Sequence, residues 1–442
     1  MALATFRKGV HPQELKELTE KKPVEIMPLP DEVFVPLQQH IGVPCQPLVE
    51  KDQEVKTGQV IGSSEKFVSS PIHSPITGKV KTVNKFQHPL GMHVTMIHIV
   101  RSEGDESWET LPKADVWQDS TIDVLRKMIR DAGIVGLGGA AFPTHVKLSP
   151  PVEKIIDSFI LNGCECEPYL TADHRAMLEF SEKIMTGMAI ISKILGVKDT
   201  FIAIENNKPD AISAMQKICA VKYPEVKVVP LQVKYPQGAE KMLIDAILKR
   251  RVPAGGLPMD VGVVVNNIGT AIAVAEAVTE GKPLVQRIVT VTGDGIKEPK
   301  NVMVRIGTTF KHVLDFCGGI RENTTQIFMG GPMMGFSQSN LSVPCVKATS
   351  GIVCLTDRNT IQGKTYPCIK CGNCVSVCPM NLMPTTLTHM VKAAKWEESQ
   401  QLGILNCIEC GSCSFSCPSR IPLVQWLRVG KLKVTELMRK NG

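Results

Sequence analysis

The sequence predicts a multidomain α/β protein that carries an all-β unit ahead of its centre, a small ββα unit behind it and a helical, cysteine-rich end. Three observations carry this. Between residues 116 and 283 short apolar runs alternate with segments of helical period, the pattern of a parallel sheet covered on both faces. Residues 31–115 instead hold short β-type runs divided by turn signals. From Cys368 to Pro418 one cysteine pattern, C-x2-C-x2-C-x3-C-P, occurs twice.

Size and charge narrow the function classes. A chain of 442 residues exceeds one ordinary core and predicts roughly two to four domains. A hydrophobic share of 43% with 21% charged residues is that of a folded, soluble protein. No run reaches the ~18 apolar residues of a membrane span; Val261 to Val265 is cut off by Asn266 and Asn267. Membrane association is therefore expected to be peripheral. The start, Met1 to Lys8, lacks the apolar stretch of a signal peptide, which points to the cytoplasm. The net charge of +7 is mild and its basic residues are scattered, so nucleic acid is excluded as a partner. The basic tail Lys431 to Lys440 reads either as a solvated helix end or as a face for an acidic protein or anionic lipid.

In chain order, residues 1–30 are rich in Lys, Glu and Pro without periodicity and are expected to form an arm along the surface. Residues 31–115 give strands at Val33 to Val35, Val60 and Ile61, Val80 to Val83 and Val94 to Val100, with turns at Lys56 to Gly58 and Pro75 to Gly78. Val49 to Ile61 with Ser74 to Val80 resembles the barrel-sandwich fold of biotinyl and lipoyl carriers. Glu65-Lys66-Phe67 lacks the carriers' modification turn, so Lys66 is expected to be a surface lysine. His93 and His98 fall on opposite faces of one strand and cannot share a metal there.

Helical period begins near 119, with Ile122, Leu125, Met128 and Ile129 on one face and Asp131-Ala-Gly133 as its end. Then come a strand at Phe159 to Leu161, a helix from about Thr171 to Leu195, a strand at Phe201 to Ile204, a helix from Pro209 to about Ala220, a strand at Val226 to Val229, a helix from Gly238 to about Arg250 and a strand at Val261 to Val265. Residues 284–335 read as a compact ββα unit with its helix begun by Thr308 and closed by Gly318-Gly319; it resembles the soluble-ligand-binding β-grasp module. Residues 336–365 read as linker. Residues 366–442 read as a helical ferredoxin-like domain, with Leu387, Met390, Val391 and Ala394 on one face.

The doubled cysteine pattern is that of bacterial two-cluster ferredoxins, in which three close thiolates hold one cluster and the fourth reaches to the other. On that rule Cys368, Cys371, Cys374 and Cys417 hold one 4Fe-4S centre, and Cys407, Cys410, Cys413 and Cys378 the second. A zinc site takes four ligands, usually as pairs of C-x2-C, and leaves the third cysteine, the proline and the repeat unexplained. Disulfides require an oxidising compartment. Of the remaining cysteines, Cys219 and Cys317 lie in apolar helical contexts and read as core residues.

Gly136-Leu-Gly138-Gly139-Ala-Ala141 fits the loose dinucleotide fingerprint, but a helix, not a strand, precedes it. Two readings remain open: a backbone cradle for phosphate, or a tight structural turn. Iron-sulfur clusters move single electrons and nicotinamides move hydride; a flavin does both, so clusters beside a nucleotide-type α/β domain suit conversion between the two.

Four motifs in order make a resemblance specific: Gly136 to Thr144 with Lys147, Asn162-Gly-Cys-Glu-Cys-Glu-Pro168, Tyr235-Pro-Gln-Gly-Ala-Glu240 and Val265-Asn-Asn-Ile-Gly-Thr270. They are similar to the flavin and NADH site of the 51-kDa subunit of respiratory complex I. With the order barrel-sandwich, α/β, β-grasp, twin clusters, the whole chain resembles the RnfC family, which belongs to the Rnf ion-translocating ferredoxin:NAD oxidoreductases. The resemblance implies FMN and two 4Fe-4S clusters as cofactors, and NAD(H) as substrate. As partners it implies the membrane-embedded and ferredoxin-like subunits, with ferredoxin met indirectly, at the cytoplasmic face of the inner membrane. It implies that Gly136, Gly138 and Gly139 approach the FMN phosphate and ring, that Lys147 neutralises the phosphate, and that Asn162, Asn266, Asn267 and Thr270 hydrogen-bond the cofactor. Phe142 would stack on the dinucleotide, Tyr235 would lie near the flavin ring, and Glu165, Glu167 and Glu240 would line the hydride-transfer face. Complex I commonly has aspartate at the position of Cys164 and glutamate at that of Ala239, so contacts there are not carried over. From the residues alone, Glu165 and Glu167 could instead cap the helix near Thr171.

Two rival functions remain at this stage. A soluble diaphorase, such as a microcompartment cobalamin reductase, shares these modules but begins near the glycine loop, so the N-terminal barrel argues against it. A flavin-free electron wire would keep the clusters alone.

Overall fold

The computed structural model describes residues 3–360 and 363–441. Residues 1–2 of the expected arm, 361–362 of the expected linker and the final residue of the cluster domain lie outside them.

The strands of residues 32–101 form two antiparallel sheets, one ordered Glu32–Pro36, His93–Arg101, Gly78–Gln87, Glu54–Val55 and the other Gln46–Pro47, Val60–Ser63, Ile72–His73. Alternate residues turn inward, so Val33, Val35, Ile61, Val80, Ile97 and Ile99 are fully buried between the sheets. His98 is buried against Glu32 while His93 is exposed, and Lys66 is exposed.

The central sheet is parallel, in the order Lys227–Leu231, Asp199–Glu205, Ser158–Gly163, Val263–Asn267. Its middle strands are apolar on both faces because helices Ser181–Leu195 and Ile268–Ala275 cover one side and helix Glu240–Leu248 the other. The helix expected over 171–195 is two, Ala172–Glu179 and Ser181–Leu195, broken where Phe180 leaves helical backbone at φ −125°. In helix Ile122–Asp131 Leu125 and Ile129 are buried, but Ile122, in the first turn, is 39% exposed.

A six-stranded sheet follows, ordered Val24–Ile26, Lys300–Arg305, Gln286–Thr292, Gly351–Thr356, Thr324–Met329, Phe336–Ser337. This corrects two expectations. The stretch 336–365 is not only linker: Gly351–Thr356 is a wholly buried strand in the middle of the sheet, parallel to Gln286–Thr292 and antiparallel to Thr324–Met329. Buried on both faces, it lacks the alternation that marks a strand. Nor do residues 3–30 simply run along the surface as an arm. Val24–Ile26 adds an edge strand, Phe6 and Val10 are buried, and the Lys16 ammonium donates to the carbonyls of Glu165, Glu167 and Leu170 at 2.6 to 2.9 Å.

The cluster domain packs helices Pro384–Lys392, Trp396–Gln401 and Leu423–Asn441 beneath the two cysteine runs. Leu387 and Val391 face this core, but the first helix ends at Lys392, leaving Ala394 exposed with φ +54°. The runs repeat in backbone as well as in sequence. Lys370 and Glu409 both have positive φ, near 57° and 58°, and both donate their N–H to the preceding cysteine sulfur at 3.4 Å. Gly372 and Gly411 match at φ +78° and +77°, each opening a short helix, Asn373–Ser376 and Ser412–Phe415.

Candidate functional site

In the parallel sheet, successive strands step one way from Ser158–Gly163 and the last strand falls on its other side. The topological switch point therefore lies between Ser158–Gly163 and Val263–Asn267, and the crevice at their carboxyl ends is where such sheets bind ligands. The register sets Asn267 opposite Asn162.

The glycine loop lies over that crevice. It closes on itself through Gly136 N–H to the Phe142 carbonyl at 2.9 Å, and Leu137 N–H donates to Thr270 Oγ1 at 2.9 Å. A Cβ on Gly138 would lie 3.3 Å from Asn267 Cβ, so the loop rests on the asparagine. Gly139, at φ +121°, has no atom within 4 Å of where a Cβ would stand and borders open space. Phe142 is half-buried at the loop's end.

Asn267 caps helix Ile268–Ala275 through Oδ1, which accepts from Gly269 N–H at 2.8 Å, and donates through Nδ2 to Asp173 at 2.6 Å. Burial and the neighbouring Glu165 push the Asp173 carboxyl up to about 7, against the pull of Asn267, Arg287 and Lys208. Lys147, on the short helix Thr144–Lys147, pairs with Glu240 and donates to the Val265 carbonyl at 3.0 Å. Asn162 donates to the Gly238 carbonyl at 2.8 Å and accepts from Cys164 N–H at 3.0 Å. Asn266 is 3% exposed, yet both its amide atoms are without a partner. Leaving such a group unsatisfied costs about 1–3 kcal/mol. A buried amide with a free donor and acceptor, flanked in sequence by the Asn267 on which the glycine loop rests and the Val265 whose carbonyl Lys147 reaches, fits a flavin phosphate or ring.

The structure thus brings Gly136, Gly138, Gly139, Lys147, Asn162, Glu240, Asn266, Asn267 and Thr270 together. The carboxylates of Glu165 and Glu167 turn to other partners, Glu165 beside the Asp173 that Asn267 reaches. Glu165 caps helix Ala172–Glu179, accepting from the N–H groups of Asp173 at 2.9 Å and His174 at 3.2 Å. Glu167 accepts from Met333 N–H at 3.1 Å, Met334 N–H at 2.9 Å and the Tyr235 hydroxyl at 3.2 Å. Loss of water pushes its carboxyl up to about 7 in spite of those three bonds. The single proton of the Tyr235 hydroxyl is shared with the nearer Cys410 carbonyl at 2.7 Å. Glu167 and Tyr235 therefore sit at the junction of three domains.

Sequence reading missed Lys16, Asp173 and the Met333-Met334 turn. For the turn a signal existed, the run Gly330-Gly331-Pro332 before it. For a lone lysine on an arm there was none.

Cys378 of the first run lies beside the thiols of the second. Burial raises the Cys413 thiol, and Cys410, Cys407 and Cys378 beside it raise it further; Cys378 likewise acts on Cys410. At the other end Tyr366 N–H reaches the Ser419 carbonyl at 3.0 Å and Ser419 Oγ the Pro367 carbonyl at 2.9 Å, drawing the start of the first run to the end of the second. Among the described residues no three His, Cys, Asp or Glu side chains converge on a single-ion site. Eight thiols in two C-x2-C-x2-C-x3-C runs are the donor set that two 4Fe-4S clusters take.

Comparison with known proteins agrees with this geometry. Residues 129–276 match the model of a Nuo51 FMN-binding domain, 288–337 an SLBB domain, 367–421 a 4Fe-4S dicluster domain and 4–104 an RnfC barrel sandwich hybrid domain. The chain is 51% identical over 428 residues to the RnfC-type member of the proton-translocating ferredoxin:NAD(+) oxidoreductase complex of Clostridium ljungdahlii, covering 96% of this chain and 93% of that one. The chain belongs to the RnfC family. To the Na(+)-translocating relative of Acetobacterium woodii it is 43% identical, with 99% of each chain covered, and to an ion-translocating relative of Rhodobacter capsulatus 44%, covering 98% of this chain and 83% of that one. The RnfC barrel-sandwich match begins at residue 4 and so takes in most of the arm. Among the described residues no helix is long and apolar enough to cross a membrane.

Proposed function

We propose that this chain is the peripheral, NAD(H)-reactive subunit of an ion-translocating ferredoxin:NAD+ oxidoreductase at the cytoplasmic face of the membrane. It exchanges hydride between NAD(H) and FMN and relays single electrons through two 4Fe-4S clusters to partner subunits. The observation that carries this reading is the buried, unpartnered amide of Asn266 at the strand switch point, between Val265, whose carbonyl Lys147 reaches, and Asn267, on which the glycine loop rests. FMN supplies there the exchange between a hydride and two single electrons.

The chain's own groups bind and orient. The loop 136–142 offers backbone N–H groups, Lys147 offers positive charge, and Asn266 offers a donor and an acceptor held still by burial. Asn267 and Thr270 fix the loop and the helix end. Glu240 restrains Lys147 through their ion pair. Direct hydride transfer needs no protein acid or base, so position and electrostatics are what these residues contribute. Glu165 and Glu167 support this site at one remove, the first by capping a helix that carries Asp173 and the second by joining domains.

The barrel-sandwich match supports this reading over a soluble diaphorase. Protein reconstituted anaerobically with iron, sulfide and FMN is expected to retain flavin and to reduce ferricyanide with NADH. Clusters without flavin after competent reconstitution would favour the electron-wire reading instead.

A further inference from the structure

We infer that the barrel-sandwich unit supplies one wall of the dinucleotide site, where Ile41, Val43 and Phe67 receive the adenosine half of NAD(H). This rests on the function proposed above and adds to it the residues that hold the part of the substrate that does not react.

Two segments of the barrel-sandwich are fastened to the end of the glycine loop. Ile41 N–H donates to the Ala141 carbonyl at 3.3 Å. His145 Nε2 donates to the Phe67 carbonyl at 3.1 Å, and the two rings meet edge to face with centroids 5.8 Å apart. His145 belongs to the short helix Thr144–Lys147, whose last residue is the lysine of the flavin site. The segments also hold each other. Val43 N–H donates to the Val68 carbonyl at 3.0 Å, and Ser69 Oγ to the Val43 carbonyl at 3.0 Å. Gly42, at φ +130°, lies so flat on its neighbour that a Cβ would stand 2.1 Å from the Val68 carbonyl oxygen. The wall is therefore in place before a ligand arrives.

What the wall presents is apolar. Ile41 is 55%, Val43 42% and Phe67 58% exposed. Single exposed apolar side chains are ordinary, but three on two adjoining turns beside a ligand crevice make a patch of the kind that binds. Next to them the loop is bare: Gly138, Gly139 and Ala140 are exposed.

The loop also gives the patch its occupant. It spans from the sheet edge, where Leu137 N–H meets Thr270, to the barrel-sandwich, where the Ala141 carbonyl meets Ile41. A dinucleotide crossing the exposed glycines between those ends is led from the flavin crevice to the wall. Adenine is a flat ring with two faces that gain from stacking on apolar side chains. Between residues 136 and 144 the loop brings one aromatic residue, the half-buried Phe142, which covers one face at most. Ile41, Val43 and Phe67 are the apolar surface left for the rest.

The test uses full-length protein reconstituted with iron, sulfide and FMN, as wild type, Phe67→Ala, Phe67→Trp and Ile41→Ser. Ferricyanide reduction is followed with NADH and with reduced nicotinamide mononucleotide, which carries the same hydride and no adenosine, and ADP-ribose is added as inhibitor. Phe67→Ala is expected to raise KM for NADH and the inhibition constant of ADP-ribose about tenfold. Its kcat, flavin content and KM for the mononucleotide should equal those of wild type, and Phe67→Trp should restore the NADH value. Ile41→Ser should give a smaller rise of the same kind, and decides alone should Phe67→Ala lose its flavin. Unchanged KM for NADH in both alanine and serine variants overturns the proposal and leaves the patch to a partner protein. An equal rise for NADH and the mononucleotide overturns it too, since the wall would then only prop the loop. Wild type that holds flavin and clusters but does not oxidise NADH overturns the parent reading and this one with it, a separately recognisable result.

Discussion

Lys147 and Glu240 form an ion pair at the strand switch point, and the same ammonium donates to the Val265 carbonyl. Lysine charge is thereby held at the carboxyl edge of the sheet, on the backbone of the residue before the unpartnered Asn266. Lys147→Met is expected to weaken FMN binding by about ten- to a hundredfold, the worth of one hydrogen bond to a charged group. A flavin fluorescence titration reads this directly. Thermal stability should change little, because Glu240 is exposed enough to be solvated alone.

Glu165→Ala removes the acceptor for two N–H groups at the start of helix Ala172–Glu179. The expected loss is about 1–2 kcal/mol, seen as a lower melting temperature. Glu165→Gln should recover part of it. KM for NADH should stay unchanged; a raised KM at unchanged stability would place Glu165 on the hydride-transfer face after all.

Helices Ser181–Leu195 and Ile268–Ala275 cross so closely that a Cβ on Gly187 would lie 1.8 Å from the Ala271 carbonyl oxygen. Gly187→Ala must push back the helix that carries Thr270. A loss of about 3 kcal/mol is expected, together with loss of bound flavin, measurable by thermal unfolding and by the flavin-to-protein absorbance ratio. An unchanged flavin content would separate the helix from the site.

Lys347, His40 and His73 lie buried where the barrel-sandwich meets its neighbours. The Lys347 ammonium donates to the Pro71 and Gly133 carbonyls, yet burial lowers it from 10.5 to about 7. Burial and Lys347 together lower His40 to about 4 and His73 to about 3, from 6.5. In each case the unfolded chain holds the proton at higher pH than the folded one, so stability rises with pH across the interval between the two values. Wild type should therefore gain stability from pH about 3 to 6.5 through the histidines, and from about 7 to 10.5 through Lys347. Lys347→Met should flatten the second rise when melting temperature is followed against pH. An equal slope in variant and wild type contradicts this.

Much of this was legible in the sequence, for physical reasons. The cysteine runs repeat because each must fold the same turn about a cluster, which spacing alone conveys. The central strands announce themselves as apolar runs between helices, and the switch point puts Asn162, Asn266 and Asn267 where such strands end. What stayed hidden depends on long-range contact. Gly351–Thr356 is a strand because two distant strands flank it, and Lys16 matters because three carbonyls from residues 165–170 converge on its ammonium. The motif around Glu165 and Glu167 is plain in the sequence, but a motif does not say which way its side chains turn. In this fold one caps a helix and the other reaches Met333 and Met334.

The central claim is that one chain joins a hydride-accepting flavin to a pair of one-electron clusters. An anaerobic NADH titration of reconstituted protein, with flavin absorbance and cluster EPR followed in the same sample, tests it most directly. The flavin is expected to bleach on addition of NADH, and the cluster signals to come into redox equilibrium with it. Protein with about eight irons per chain whose flavin ignores NADH, or that holds no flavin at all, would contradict it.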